Sequence, residues 1–154
     1  MSKHVEELKK LMFKPGEKAD VPFIGKKTAI FEAKMHKYYD YKIRSALYQD
    51  SIDCYVFTVA VKPKYLKKKK GKTVIKFLET YFDKSSFQVI ARTYQLKHKT
   101  AIYDFDVLMD IKLGKLGDLY VPEYIRYKGT WDVSFKKRET AKFEMQVYDL
   151  VVPN

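Results

Sequence analysis

Apolar and polar residues alternate along most of this chain, from Tyr38 to Val151, in runs broken by short polar turns. The clearest run sets Tyr103, Phe105, Val107, Met109, Ile111 and Leu113 against Asp104, Asp106, Asp110 and Lys112. A period of two sends the first set to one face of a strand and the second set to the other. Similar runs include Tyr39, Tyr41 and Ile43, then Tyr55, Phe57, Val59 and Val61, then Ile75, Phe77 and Tyr81. Phe87, Val89 and Ala91 lead another, and its opposite face shows Ile90, Tyr94 and Leu96. Tyr120–Lys128, with Pro122 marking a strand start or an edge, is followed by Trp131, Val133 and Phe135, and then by Phe143, Met145 and Val147. Turns are expected at Tyr48–Ser51, after Pro63, at Asp83–Ser86, at His98–Thr100, between Gly114 and Gly117, at Gly129 and at Lys136–Glu139.

The pattern predicts a mainly β fold: an antiparallel curved sheet or half-barrel of about eight strands, with one greasy face and one wet face. No helical pattern lies between the strands, so parallel crossovers are not expected. Val5, Leu8, Leu11 and Met12 recur at helical spacing before Pro15-Gly16. They predict a short amphipathic helix over residues 2–13, lying on the sheet as cover. Residues 14–27 read as a loop, and Thr28–Met35 permits either a strand or a helical turn. The expected organisation is an N-terminal helix and loop over 1–27 and a single antiparallel β domain over 28–154.

A chain of 154 residues, 46% hydrophobic and 16% aromatic, can bury one real core. The formal net charge of +12 would attract nucleic acid, anionic lipid or acidic partners. The lysines are spread through turns and wet faces rather than gathered on one element. The strongest local charge feature is Lys67, Lys68, Lys69 and Lys70 with Lys72. It is either an anionic headgroup or phosphate contact, or a solvated hairpin loop that discourages edge aggregation. The single cysteine, Cys54, excludes an internal disulfide and sits beside Val56 as a buried small hydrophobe. The opening residues have no apolar signal-peptide centre, and no apolar run reaches the ~20 residues of a membrane-spanning helix.

Candidate chemistry is sparse. Gly71-Lys72-Thr73 ends like a phosphate-binding loop, but Leu66 stands where that motif needs glycine, and a strand follows. His4, His36 and His98 lack partners at zinc-ligand spacing. Asp104, Asp106 and Asp110 share a wet strand face that nearby lysines would neutralise, so no metal is expected. A Glu79–Asp83 carboxylate pair is conceivable but unmarked. The expectation is a non-enzymatic protein without a cofactor. The best site candidate is the greasy face itself: Tyr103, Phe105, Met109, Trp131, Phe143 and Met145 would line an adaptable aromatic surface. That surface is either a ligand cavity or an ordinary filled core.

One further pattern spans about Tyr38 to Leu150. The strand Ile52-Asp53-Cys54-Tyr55-Val56-Phe57-Thr58-Val59-Ala60-Val61-Lys62-Pro63 leads into a basic loop. Phe77-Leu78-Glu79-Thr80-Tyr81-Phe82-Asp83 follows, then Ser86-Phe87-Gln88-Val89-Ile90-Ala91-Arg92 and later Leu119-Tyr120-Val121-Pro122-Glu123-Tyr124. This order resembles outer-membrane lipoprotein-sorting domains (LolA/LolB-like) and related domains of uncharacterised Gram-negative envelope proteins. The resemblance implies a curved, incompletely closed sheet with helices against its concave face. It also implies a role without catalysis: sheltering acyl chains, or serving as a scaffold in outer-membrane or lipoprotein processes. The location implied is the periplasm or the periplasmic face of the outer membrane. The chain differs from the carriers in showing one helix pattern and no lipobox cysteine. The alternative function is a basic nucleic-acid-binding protein.

Overall fold

The computed structural model describes residues 25–66, 72–100, 103–133 and 137–149. The helix expected over 2–13, Lys67–Lys70 and Lys136 lie outside the described residues. Seven antiparallel strands form one curved, unclosed sheet in which each strand pairs with its sequence neighbours. They are β1 (Tyr39–Tyr48), β2 (Ile52–Val61), β3 (Ile75–Asp83), β4 (Val89–Lys99), β5 (Tyr103–Leu116), β6 (Leu119–Val133) and β7 (Glu139–Gln146). The Thr28–Met35 region forms helical turns, a 3-10 turn at Gly25–Thr28 and α1 at Ala33–His36. A second short helix, α2, spans Pro63–Leu66 at the end of β2. Among the described residues no helix is long and apolar enough to cross a membrane.

The strand count is seven because two expected strands are one. β6 runs unbroken through Gly129, which pairs with Val107 on one side and Ala141 on the other. The glycine makes room for rings rather than turning the chain. A Cβ placed there would lie 2.6 Å from the Tyr127 hydroxyl and 2.7 Å from the Trp131 indole. Gly114 is likewise inside β5, and the turn falls at Gly117-Asp118, where Gly117 adopts φ +60°. Phe87 belongs to the β3–β4 turn, with φ 57°, and not to a strand. Pro122 is tolerated inside β6 because the pairing with β7 reaches only to Tyr124, so its missing N–H breaks no ladder bond there.

The front face carries two buried clusters. Phe105, Val107, Met109, Ile125 and Tyr127 pack with Val74 on β4–β6. Ile30 and Met35, from the segment before β1, cover Tyr39, Val59 and Val61. A bulge between Ile75 and Phe77 turns Ile75 to this face, where Tyr39 Oη donates to its carbonyl at 3.0 Å. Each fully buried apolar side chain contributes about 1.5–3 kcal/mol, so these clusters dominate the stability of the sheet.

The one-greasy-face pattern fails at one end. On β2, Val59 and Val61 are buried on the front, yet Cys54 and Val56 are fully buried on the back. Tyr48 and Tyr81 flank them there, with rings 5.2 Å apart. The long β5–β6 hairpin approaches the β3–β4 turn at this end. Tyr120 Oη donates to Asp83 at 3.3 Å, and Gln88 Nε2 donates to the Asp118 carbonyl at 2.9 Å. Cys54 is thus the small buried hydrophobe expected of it, and burial raises its thiol pKa. Elsewhere the back is wet. Asp104 meets Arg138 at 3.0 Å, Asp106 meets Lys97 at 2.6 Å and Asp110 meets Arg126 at 2.5 Å. The three aspartates are thereby neutralised by solvent-screened basic side chains, pairs that add little to stability.

Candidate functional site

All six apolar-face residues named from the alternation lie on the front. Phe105 pairs with Trp131 across β5–β6, Met109 with Tyr127, Tyr127 with Phe143, and Ile125 with Met145. Tyr103 stacks on Phe105 with centroids 6.3 Å apart, and Tyr127 stacks on Trp131 at 6.0 Å and on Phe143 at 5.0 Å. The six do not share one environment. Phe105 and Met109 are each 2% exposed and belong to filled core. Phe143 and Met145 are 40% and 37% exposed, so the face opens towards β7. The face is therefore filled from β4 to β6, where Ile125 and Tyr127 are also buried, and half-exposed only along β7.

His98 joins this face, although the sequence reading does not place it in the site. It continues the parity of Tyr94 and Leu96, so the alternation already carries the signal. His98 lies across from Phe105 on β4, so His98, Phe105 and Trp131 form one transverse row over three strands. His98 is 4% exposed. Its Nε2 lies 3.4 Å from the Lys27 ammonium, while its Nδ1 is buried without a hydrogen-bond partner among the described residues. Trp131 Nε1 at the other end of the row is also buried and has no partner among the described residues. Such orphaned polar atoms cost about 1–3 kcal/mol each unless something pairs with them. Burial, and then the Lys27 and Lys76 charges, push the His98 pKa down, so the ring is held neutral.

The neighbouring hydroxyls cannot serve as acids or bases near neutral pH. Burial raises Tyr94 and Tyr127 to about 12, and Tyr94 Oη is spent on the Met109 sulfur at 2.8 Å. The row can therefore hold an apolar body beside Trp131, Phe143 and Met145. Trp131 Nε1 and His98 Nδ1 would hydrogen-bond a polar group that displaced the side chains covering them, with the Lys27 charge close by. Of the expected headgroup lysines only Lys72 is described, and it is exposed beyond α2.

A concavity of about 760 Å³ lies at one end of the sheet, lined by Tyr48, Asp83, Lys115, Tyr120 and Glu123 among others. Its best-placed carboxylate is already committed. Asp83 accepts hydrogen bonds from the Ser85 hydroxyl at 2.7 Å, the Ser85 amide at 2.8 Å and the Ser86 hydroxyl at 3.0 Å. These bonds hold its pKa down to about 2. Glu79 instead accepts from Thr58 and Tyr81, both at 3.1 Å. The two carboxylates thus have separate partners and form no shared-proton pair. Among the described residues, no group of three or more His, Cys, Asp or Glu converges as metal ligands would. Comparison with known proteins leaves the geometry to stand alone: no family model, curated protein or solved structure matches the chain.

Proposed function

We propose that the chain is a non-enzymatic binding domain for a lipid-like amphiphile, held on the front face at its half-exposed β7 side. The observation that carries this reading is the row His98–Phe105–Trp131. Two buried polar atoms without partners among the described residues flank an aromatic core residue, with the Lys27 ammonium 3.4 Å from His98. A ligand with an anionic or polar head and an acyl tail would satisfy both atoms and bury the half-exposed Phe143 and Met145. The resemblance to lipoprotein-sorting domains adds the setting to this proposal: the periplasm or periplasmic face of the outer membrane. There the domain would carry a ligand or act as a scaffold. The nucleic-acid alternative draws on the +12 charge. It is weakened by the back face, where Lys97, Arg126 and Arg138 are engaged by aspartates.

Native mass spectrometry of the purified protein, with organic extraction, tests the reading. It predicts an adduct whose extracted mass is a fatty acid or phospholipid, or stoichiometric uptake of added oleate by stripped protein. A clean unliganded mass that added oleate does not change would overturn it.

A further inference from the structure

An up-and-down meander sends alternate turns to opposite ends of the sheet, and in this chain that sorting separates charge. The register puts Tyr39, Val61, Ile75, Lys99, Tyr103, Val133 and Glu139 at one end. The connections there hold Lys37, Lys64, Lys72, Lys99 and Lys137, all exposed and without an ion pair among the described residues. At the other end, the turns after Tyr48, Asp83 and Leu116 bring Asp50, Asp53, Asp83 and Asp118, with Lys84 already paired to Asp53 at 2.8 Å. Lysines that look scattered along the chain are therefore gathered by topology. The basic end also exposes an apolar side chain among its charges: Leu66, the last residue of α2, is 54% exposed beside Lys64.

From this juxtaposition we propose that the basic end is a docking surface for an anionic lipid bilayer, standing the strands end-on to the membrane. Cations around a protruding aliphatic side chain suit an interface of charged headgroups over hydrocarbon. An aliphatic tip offers a nucleic acid nothing to stack on, because bases stack on aromatic or guanidinium planes. The opposite end, carrying acidic turns, is repelled, so the charge separation orients the molecule as well as attracting it. The proposal rests on the topology and stands whether or not the front face holds a ligand.

The test is co-sedimentation of the full chain with phosphatidylcholine vesicles, with and without 30% phosphatidylglycerol (a chosen assay composition, about one anionic lipid in three). Binding is expected only with the anionic lipid, and it should weaken as salt rises. Lys64→Glu, Lys72→Glu, Lys99→Glu and Lys137→Glu combined should weaken it by roughly six hundredfold, at about a factor of five per lysine. The same set changed to Gln serves if the Glu set fails to fold. A control with the same charge change, at Lys42, Lys115, Lys128 and Lys142, should lose far less. Leu66→Ser should weaken vesicle binding several-fold and leave binding to single-stranded RNA unchanged. Equal loss in both lysine sets, or no binding to anionic vesicles, overturns the proposal. Vesicle binding indifferent to Leu66→Ser, combined with efficient displacement by RNA, would reassign the basic end to nucleic acid.

Discussion

Gly129→Ala is expected to destabilise the fold by about 1–3 kcal/mol, the range for forcing atoms into a filled core. The sign is informative because backbone entropy points the other way. Gly129 does not adopt a positive φ, and replacing such a glycine by alanine ordinarily stabilises by about 0.4–1 kcal/mol. Here steric crowding outweighs that gain. The new methyl would sit 2.6 Å from the Tyr127 hydroxyl and 2.7–2.8 Å from two Trp131 ring carbons. Tyr127 is 3% exposed and pinned by its stack on Phe143, so neither ring can leave without opening the face. The urea midpoint decides the matter. A drop supports a glycine placed to be roofed by rings, and a rise would show that the rings move aside freely.

Phe105→Ala is expected to have the largest effect of any single change on the front face, about 3–5 kcal/mol. Phe105 is 2% exposed in the middle of the transverse row and packs with Val74, Tyr103 and Trp131. Removing the ring leaves a cavity lined by partners that belong to three strands and a preceding segment, and these cannot collapse together. Domains of this size are held by about 5–15 kcal/mol in total, so the variant should lose a large part of its stability. Chemical denaturation monitored by circular dichroism would check this. A loss below about 1 kcal/mol would mean the row is loosely packed, against the cluster described above.

The extent to which these features are visible in the residues follows from which interactions are local. Alternation alone places Tyr103, Phe105, Met109, Trp131, Phe143 and Met145 on one face, because in-register antiparallel pairing preserves parity from strand to strand. His98 is legible by the same parity. It escapes notice because His98–Thr100 reads as a turn and the lone histidine is weighed as a metal ligand, whereas β4 continues through Lys99. Gly129 misleads because a glycine in a polar stretch resembles a turn. Only the partners across β5 and β7 reveal that two neighbouring rings need its missing Cβ. The burial of Cys54 and Val56 on the back is hidden for a similar reason. It depends on how the β5–β6 hairpin meets the β3–β4 turn, a contact between residues about 30 positions apart or more. The separation of charge between the two ends needs no side-chain detail, only the step from counting lysines to asking which turns share an end.

If the open side of the front face takes an amphiphile beside Trp131, the chain supplies its own reporter. Trp131 is the single tryptophan, so indole emission reports this site alone. The decisive measurement is titration of the full chain with a mid-chain brominated fatty acid, with the unbrominated acid as control. Saturable quenching near one equivalent is expected, competed by the unbrominated acid and weakened by His98→Leu, which removes one of the two orphaned polar atoms. Emission that stays constant, or that falls linearly without saturation, would contradict amphiphile binding and leave the front face as a core filled only by its own side chains.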